Sequence, residues 1–344
     1  MTSDYPDLIA DIPEPYSELM PDMPVRTSAP QTWNVTVADA KFHWYDLIAG
    51  FPAVPDIRDP VGRYLRRMQF DLEAAVEKRL IYCVVNRPVI RLDPSRSVQW
   101  GFFSLKLTLP LLVGVEQKRD SVTIELTVPM AATLKKPTVT LNERFVTFNW
   151  GGLIEARSIH DILQDYPNQF AAPSVVRYVG QTRDPAGRLA KARLAAVQRV
   201  HQKYSEDNDT LLLVQRMSVE VVSAQGDPAE LAANQNAVAA DALQKDRMDL
   251  VECTLIRYFE GEQMRGRLDQ EVLLRRERVR EIAAANHLEQ FRIDLRLEGA
   301  DNYHDLMSEH AAMSRSHVLD CRIVAGGEIE ITRVPDKIAT PAKR

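Results

Sequence analysis

The sequence predicts an α+β fold, and three observations support that prediction. Residues 33 to 150 contain a series of short β-branched and apolar runs, which are typical of strands. One amphipathic helix, from about residue 60 to residue 80, interrupts this series. Farther on, helical patterns at 226 to 246 and 268 to 290 are followed by strand-like runs at 291 to 297 and 317 to 332. The N-terminal half is therefore predicted to be α+β with an antiparallel sheet.

The individual elements follow from local patterns. Residues 98 to 109 are expected to form one long strand or a bulged pair, with Gly101 at the bulge. Residues 121 to 128 and 138 to 141 continue the strands, and residues 210 to 222 read as a strand pair or one bent strand. Four arginines between residues 275 and 280 are expected on a solvated face of the charged helix.

The chain is predicted to have four parts. Residues 1 to 32 are proline-rich and form an extended leader. Residues 33 to 145 form the N-terminal α+β domain, a candidate for partner or DNA recognition. Residues 146 to 267 hold a small mixed α/β domain with a helical insert near 226 to 246. Residues 268 to 344 form a C-terminal extension, and the oligomeric state is left open.

Composition excludes several classes of protein. The 344 residues are 45% hydrophobic and 26% charged, so the chain can bury more than one core and is neither disordered nor fibrous. A net charge of -5 argues against indiscriminate coating of nucleic acid. Three distant cysteines support neither a disulfide framework nor a zinc site, which makes a reducing cytoplasm the expected location. The most apolar run, 102 to 115, is interrupted by Lys106 and Pro110, so no membrane span is expected.

Three common catalytic signatures are absent from the sequence. It contains no Gly-x-x-x-x-Gly-Lys phosphate loop, no His-Glu-x-x-His pair and no Gly-x-Ser-x-Gly turn. A P-loop enzyme, a zincin protease and a serine hydrolase therefore have no support in the sequence.

Residues 175 to 204 are the one stretch with the pattern of a site. A β-branched run ends at Tyr178-Val179-Gly180, where the glycine is expected to let the chain turn. Capping residues and Pro185 then precede apolar positions that recur at helical spacing. A helix is thus predicted from about residue 184, with Arg188 on its first turns and His201 near its end.

Positive charge is concentrated on the same stretch. Between residues 177 and 204 seven Arg or Lys residues stand against one Asp, a local charge of +6. Such a patch is the electrostatic footprint of a phosphate-binding surface. We therefore take Arg183, Lys191 and Arg193 as candidate nucleic-acid contacts.

These residues resemble the second half of the signature of the GIY-YIG nuclease family. Tyr178-Val179-Gly180 and Arg188-Leu189 have the spacing of the second tyrosine and the helix arginine of that signature. His201 lies where several members carry a histidine. Glu252, followed by Leu255-Ile256, is similar to the glutamate that supplies the family's metal ligand. The resemblance covers about residues 145 to 262 and implies a small mixed α/β nuclease domain.

The first half of the signature has no clear match in the sequence. No Gly-Ile-Tyr precedes Tyr178, and two alternatives for the first tyrosine stay open. One is Tyr166, which Pro167 places in turn-like surroundings. The other is that residues 146 to 150 form the first strand, with Trp150 near the tyrosine position and an inserted helix after it. Ala192 replaces the histidine that often follows the arginine by one turn.

The resemblance implies a role for each residue in phosphodiester hydrolysis. Tyr178 would orient or deprotonate the attacking water, and Arg188 would neutralise charge on the phosphate. Glu252 would hold one Mg²⁺ or Mn²⁺, and His201 would relay a proton. The leading hypothesis is a metal-dependent DNA endonuclease. The alternative, favoured by the missing first tyrosine, is a catalytically silent module that binds nucleic acid or protein, and a structural protein without nucleic acid comes third.

Overall fold

The fold is α+β, as predicted. The structure is a computed structural model that describes residues 30–50, 55–73, 79–129, 135–182, 195–222, 237–261, 269–297 and 302–335. The helices in these ranges are α1 (Tyr45–Ala49), α2 (Pro60–Glu73), α3 (Ile159–Asp165), α4 (Ala195–Tyr204), α5 (Ala237–Glu260) and α6 (Asp269–Asn286).

The strands form one large sheet and two small ones. In chain order they are β1 (Gln31–Trp44), β2 (Leu80–Pro88), β3 (Ile90–Leu92), β4 (Gln99–Trp100), β5 (Lys106–Val113), β6 (Lys118–Glu125), β7 (Thr138–Leu141), β8 (Phe145–Asn149), β9 (Ile154–Ser158), β10 (Ser174–Thr182), β11 (Asn208–Val222), β12 (Leu288–Arg296), β13 (Leu306–Met307), β14 (Ser316–Val324) and β15 (Glu328–Val334). The large sheet has the order β13-β10-β2-β11-β1-β12-β14-β15.

Strand β2 lies inside the large sheet and is buried along almost its whole length. Its sequence, LIYCVVNRP, is rich in β-branched and aromatic residues, and only the last residue is exposed. It pairs antiparallel with β10 on one side and with β11 on the other. Two pairs in the sheet are parallel, β1 with β12 and β10 with β13. Strands from residues 31 to 334 therefore share one sheet.

The chain between β2 and β10 forms the two small sheets. One has the order β3-β5-β4, with β6 paired to β5, and the other has the order β7-β8-β9. Although residues 89 to 173 separate β2 from β10 in the sequence, the two strands are neighbours in the large sheet.

The single strand expected over residues 98 to 109 is divided by a turn. The backbone N–H of Gly101 donates to the carbonyl of Lys106 at 2.8 Å, which closes a loop between β4 and β5. Phe103 lies in the left-handed region, with φ of 52°, so the strand cannot continue through it. Gly101 therefore marks a hairpin loop rather than a bulge.

The other elements agree with the sequence in type more than in length. Helix α2 ends at Glu73, and Leu80 begins β2 instead of closing the helix. Residues 208 to 222 form one long strand, β11. The start of the predicted helix near residue 184 and most of the insert near 226 to 246 lie outside the described residues. From Ala237 onward α5 is continuous and includes Glu252.

His43, on β1, makes folding sensitive to acid. Burial, helped by the charge of Lys41, lowers the pKa of His43 from 6.5 to about 3, and its Nδ1 has no hydrogen-bond partner. Between these pH values the unfolded chain binds a proton that the folded chain does not bind. The free energy of unfolding should therefore fall by about 1 kcal/mol per pH unit as the pH drops below 6.5.

We expect His43→Gln to remove this part of the acid dependence, measured by chemical denaturation at several pH values. His287→Asn is a matched control, because His287 is exposed and asparagine tolerates its φ of 48°. An equally steep acid dependence in His43→Gln and the wild type would contradict the prediction.

Candidate functional site

Two tyrosines meet on adjacent strands of the large sheet. Tyr82 of β2 is opposite Gly180 of β10, and Tyr178 lies two residues from Gly180 on the same face. Their rings stack with centroids 6.1 Å apart and an interplanar angle of 30°. We call Tyr82 and Tyr178 the tyrosine pair.

Gly180 is needed for space rather than for a turn. The strand continues through it to Thr182, so the turn expected at Gly180 is not there. A Cβ at this position would lie 2.8 Å from the Tyr82 hydroxyl oxygen and 2.9 Å from Tyr178 Cε1. The absent side chain is therefore what allows the two rings to approach each other over the strand.

Neither predicted candidate for the first tyrosine pairs with the strand of Tyr178. Tyr166 follows the last residue of α3, and Trp150 follows β8, which belongs to a small sheet. The partner of β10 is β2, which carries Ile81-Tyr82. The sequence does contain an Ile-Tyr pair at the start of a β-branched run, Ile81-Tyr82. Because hairpin loops are usually short, however, local spacing favours a first tyrosine just before β10.

His201 lies on the tyrosine face but contacts other groups. Its Nδ1 is 3.3 Å from Asp46 Oδ1 and 3.3 Å from Thr210 Oγ1. Thr210 pairs with Asn86 of β2, which is four residues from Tyr82 and therefore projects to the same face. Four residues of extended strand place Asn86 roughly 13 Å from Tyr82. Burial, together with the charge of Asp209, raises the pKa of Asp46, while His201 opposes this shift.

Glu252 is held by the neighbouring helix. Only 7% of the residue is exposed, and its Oε1 accepts a hydrogen bond from Arg275 Nη2 of α6 at 3.3 Å. Arg278 likewise binds Asp246 and Asp249 of α5. Arg275 and Arg278 are therefore not on the solvated face that was expected, because they pair with carboxylates of α5.

Helix α5 reaches β10 through two other acidic residues. Gln181 Nε2 donates to Asp249 Oδ1 at 2.6 Å, and the backbone N–H of Val179 donates to Glu260 Oε1 at 2.9 Å. By strand alternation Gln181 projects to the face opposite Tyr178. Glu252, in contrast, contacts Arg275 of α6 rather than the tyrosine pair.

Several predicted site residues lie outside the described residues: Arg183, Arg188, Lys191 and Arg193. The expected convergence of Tyr178, Arg188 and Glu252 on one cleft therefore stays a prediction.

The carboxylate of Glu252 is a suitable ligand for the implied Mg²⁺ or Mn²⁺. Mg²⁺ usually keeps several water ligands and binds a protein through only one or two carboxylates. Arg275 competes for Glu252, and the described ranges contain no group of three or more His, Cys, Asp or Glu side chains arranged to hold a metal.

A buried polar network, not anticipated from the sequence, lies where β11 begins. Asp209 Oδ2 is 3.0 Å from His160 Nε2 and accepts from the backbone N–H of Ile90 at 2.9 Å. His160 Nδ1 lies 3.1 Å from the hydroxyl of Tyr303, and Arg91 contacts Asp209 at 2.9 Å. Asp209, His160 and Tyr303 are at most 2% exposed, so this network is part of the core.

Comparison of the chain with models of protein families, with curated proteins and with solved structures finds no match. None of the helices in the described ranges combines the length and the apolar character needed to cross a membrane.

Gly180→Ala should disturb the tyrosine pair. The added methyl group would overlap both rings, and forcing an extra methyl into a packed site costs about 1–3 kcal/mol. We expect a matching loss in the free energy of unfolding, measured by urea denaturation, and a change in the near-ultraviolet tyrosine signal. Unchanged stability together with an unchanged tyrosine signal would contradict the packing described here.

Proposed function

We propose that this protein is a metal-dependent DNA endonuclease of the GIY-YIG type, in which Tyr82 and Tyr178 are the two signature tyrosines. The observation that supports the proposal is the tyrosine pair itself. The resemblance requires a first tyrosine on a strand next to that of Tyr178, and β2 carries one opposite Gly180. Helix α4, and then Glu252 on α5, follow Tyr178 in the order that the resemblance requires.

The chemistry assigns each residue a task. The tyrosine hydroxyls orient the water that attacks phosphorus and accept or pass on its proton. Arg188 neutralises charge that grows on the non-bridging oxygens, a task that its planar fork suits. Glu252 holds a single Mg²⁺ or Mn²⁺, which supplies further charge neutralisation at the phosphate when it is bound. His201 contacts Asp46 and Thr210 roughly 13 Å from Tyr82 along the sheet, so in this proposal it relays a proton only through bridging waters.

The partner in this proposal is DNA, and the proposed location is the cytoplasm. Arg183, Lys191 and Arg193 provide phosphate contacts, so affinity for DNA should fall as salt rises. The concentration of charge on residues 177 to 204, in a chain of net charge -5, favours local contacts with DNA over coating it.

Cleavage of supercoiled plasmid with Mg²⁺ or Mn²⁺ tests the proposal. Tyr82→Phe and Tyr178→Phe should each reduce the rate by roughly 10²-fold or more, because each removes one hydroxyl from the proton path. Arg188→Ala should cost about 3 kcal/mol in the transition state. Tyr166→Phe is the matched control, since Tyr166 follows α3 and lies on neither strand that pairs with β10, and it should cleave like the wild type.

Full activity in Tyr82→Phe, with loss in Tyr166→Phe, would overturn the assignment of the first tyrosine. No cleavage by the wild type under any metal condition would leave the second candidate.

The second candidate is a catalytically silent module that binds nucleic acid or protein. Two observations favour it: Arg275 contacts Oε1 of the proposed metal ligand Glu252, and α5 binds Gln181, which projects to the face of β10 opposite Tyr178. In that case the carboxylate of Glu252 serves the packing of α5 on α6 and holds no metal.

Metal binding separates the two candidates. Under the nuclease proposal, Mn²⁺ should raise the Tm of the wild type, and Glu252→Gln should lose this increase, because a ligand that binds only the folded state stabilises it. Glu271→Gln is the matched control: Glu271 also contacts Arg275, at 3.0 Å, yet it is more exposed and has no proposed metal role. The absence of any Mn²⁺ effect on the wild type, with salt-sensitive DNA binding retained, would favour the silent module.

A further inference from the structure

A cavity of about 450 Å³ lies at the edge of β10. Side chains from β10, α4, the end of α5 and the loop before β14 meet there, among them Arg177, Arg199, Lys203, Tyr204, Glu260 and His310. The volume is in the range of about 300–1,000 Å³ that is typical of small-ligand sites. Arg177 directly precedes Tyr178, so the cavity adjoins the tyrosine pair along the strand.

The backbone directs Arg177 into this place. The register of β10 against β2 shifts between Val176 and Tyr178, so Arg177 is the extra residue of a bulge. Its guanidinium lies over the ring of Tyr204, 4.5 Å from the ring centroid. Bulges commonly redirect a side chain next to a functional site, and here the ring fixes the plane of the guanidinium.

Arg177 also has an unsatisfied donor. Its Nε is inaccessible to solvent and has no hydrogen-bond partner among the described residues. Buried polar atoms in native proteins nearly always have a partner, and a charged donor without an acceptor is costly. Because Nε is closed to solvent, the oxygens of a ligand in this cavity would meet the Nη groups of the same guanidinium.

The three cations that line the cavity lack acidic partners among the described residues. Arg177, Arg199 and Lys203 have no carboxylate within 4.0 Å in the described part of the chain, whereas Arg275 and Arg278 do. Two carboxylates, Glu260 and Glu309, line the same cavity, so three cations stand against two carboxylates, and Glu260 already accepts a hydrogen bond from the backbone N–H of Val179. The arrangement therefore leaves an excess of positive charge.

The position of the loop that carries His310 is fixed by packing. Ser308 Oγ accepts from the backbone N–H groups of His310 and Ala311 at 3.1 and 2.9 Å. The ring of His310 packs against Gly261, which has φ of 89° and no room for a Cβ. The part of the cavity wall that His310 forms is thus preformed, as small-ligand sites usually are.

We propose that this cavity binds a phosphate monoester. The planar fork of Arg177 matches two oxygens of a phosphate group, and Arg199 and Lys203 of α4 supply charge for the remaining oxygens. A terminal phosphate offers three free oxygens to cations from two directions, while a phosphodiester within a strand offers two. The molecule that carries this phosphate follows from the proposed function, on which this step rests. It is a DNA strand whose terminal phosphate lies in the cavity and whose backbone runs along β10 to the tyrosine pair.

Binding of the full chain in EDTA tests the proposal without cleavage. The probes are inorganic phosphate, a 5′-mononucleotide, and short single strands of DNA that differ only in a 5′ or a 3′ terminal phosphate, measured by calorimetry. We expect a terminal phosphate at one of the two ends to tighten binding roughly tenfold, because it accepts charge-assisted hydrogen bonds from the cations of the cavity. Arg177→Gln and Arg199→Gln should each abolish this preference.

Arg322→Gln is the matched control, since Arg322 is an exposed strand arginine on β14, at the far side of the large sheet. It should keep the preference for the terminal phosphate. Arg199→Gln alters an exposed side chain, so it gives an answer even if Arg177→Gln fails to fold. Tight binding of the free mononucleotide that is lost in Arg177→Gln would also support the phosphate site. In that case the ligand is a free nucleotide rather than the end of a DNA strand.

Equal affinity for strands with and without a terminal phosphate would overturn the proposal. So would a preference that persists in both arginine variants. The two proposals fail separately, because binding is measured in EDTA and cleavage is measured with Mg²⁺ or Mn²⁺. A protein that prefers the terminal phosphate in EDTA but does not cleave with metal would contradict the nuclease proposal and support the phosphate site.

Discussion

The buried carboxylate of Asp209 is the constraint on which the centre of the molecule depends. It joins the start of β11 to the backbone N–H of Ile90, to His160 of α3 and to Arg91. Burial alone would raise the pKa of Asp209, but the hydrogen bond and charge of His160, with the charge of Arg91, outweigh burial and lower the pKa. Breaking such a buried pair commonly costs about 3–5 kcal/mol, because a charge is left without a partner.

This network explains how a long insertion is accommodated between two paired strands. Ile90 and Arg91 begin the inserted segment directly after β2, and His160 lies near its end, before β10. Anchoring both to Asp209 on β11 fixes the two ends of the insertion beside the same sheet. Strands β2 and β10 can then pair along Leu80–Asn86 and Val175–Thr182, which brings the tyrosine pair together.

The acidic residues of α5 attach this helix to its neighbours. Asp249 and Glu260 bind β10, while Glu252 binds Arg275 of α6. The helix is therefore held between the sheet and α6 by the same kind of side chain that a metal site would require. Arg275 contacts Oε1 of Glu252, so a metal ion bound at this carboxylate would share it with a guanidinium or displace the guanidinium.

The sequence alone determined the class of fold and the type of most of the described elements, because these depend on local periodicity. Only the tertiary structure decided that Tyr82 lies beside Tyr178, that Gly180 provides room for their rings, and that Arg275 contacts Glu252. Each of these depends on pairing between residues distant in the chain, and local propensity carries no information about which distant strand or helix will be the partner.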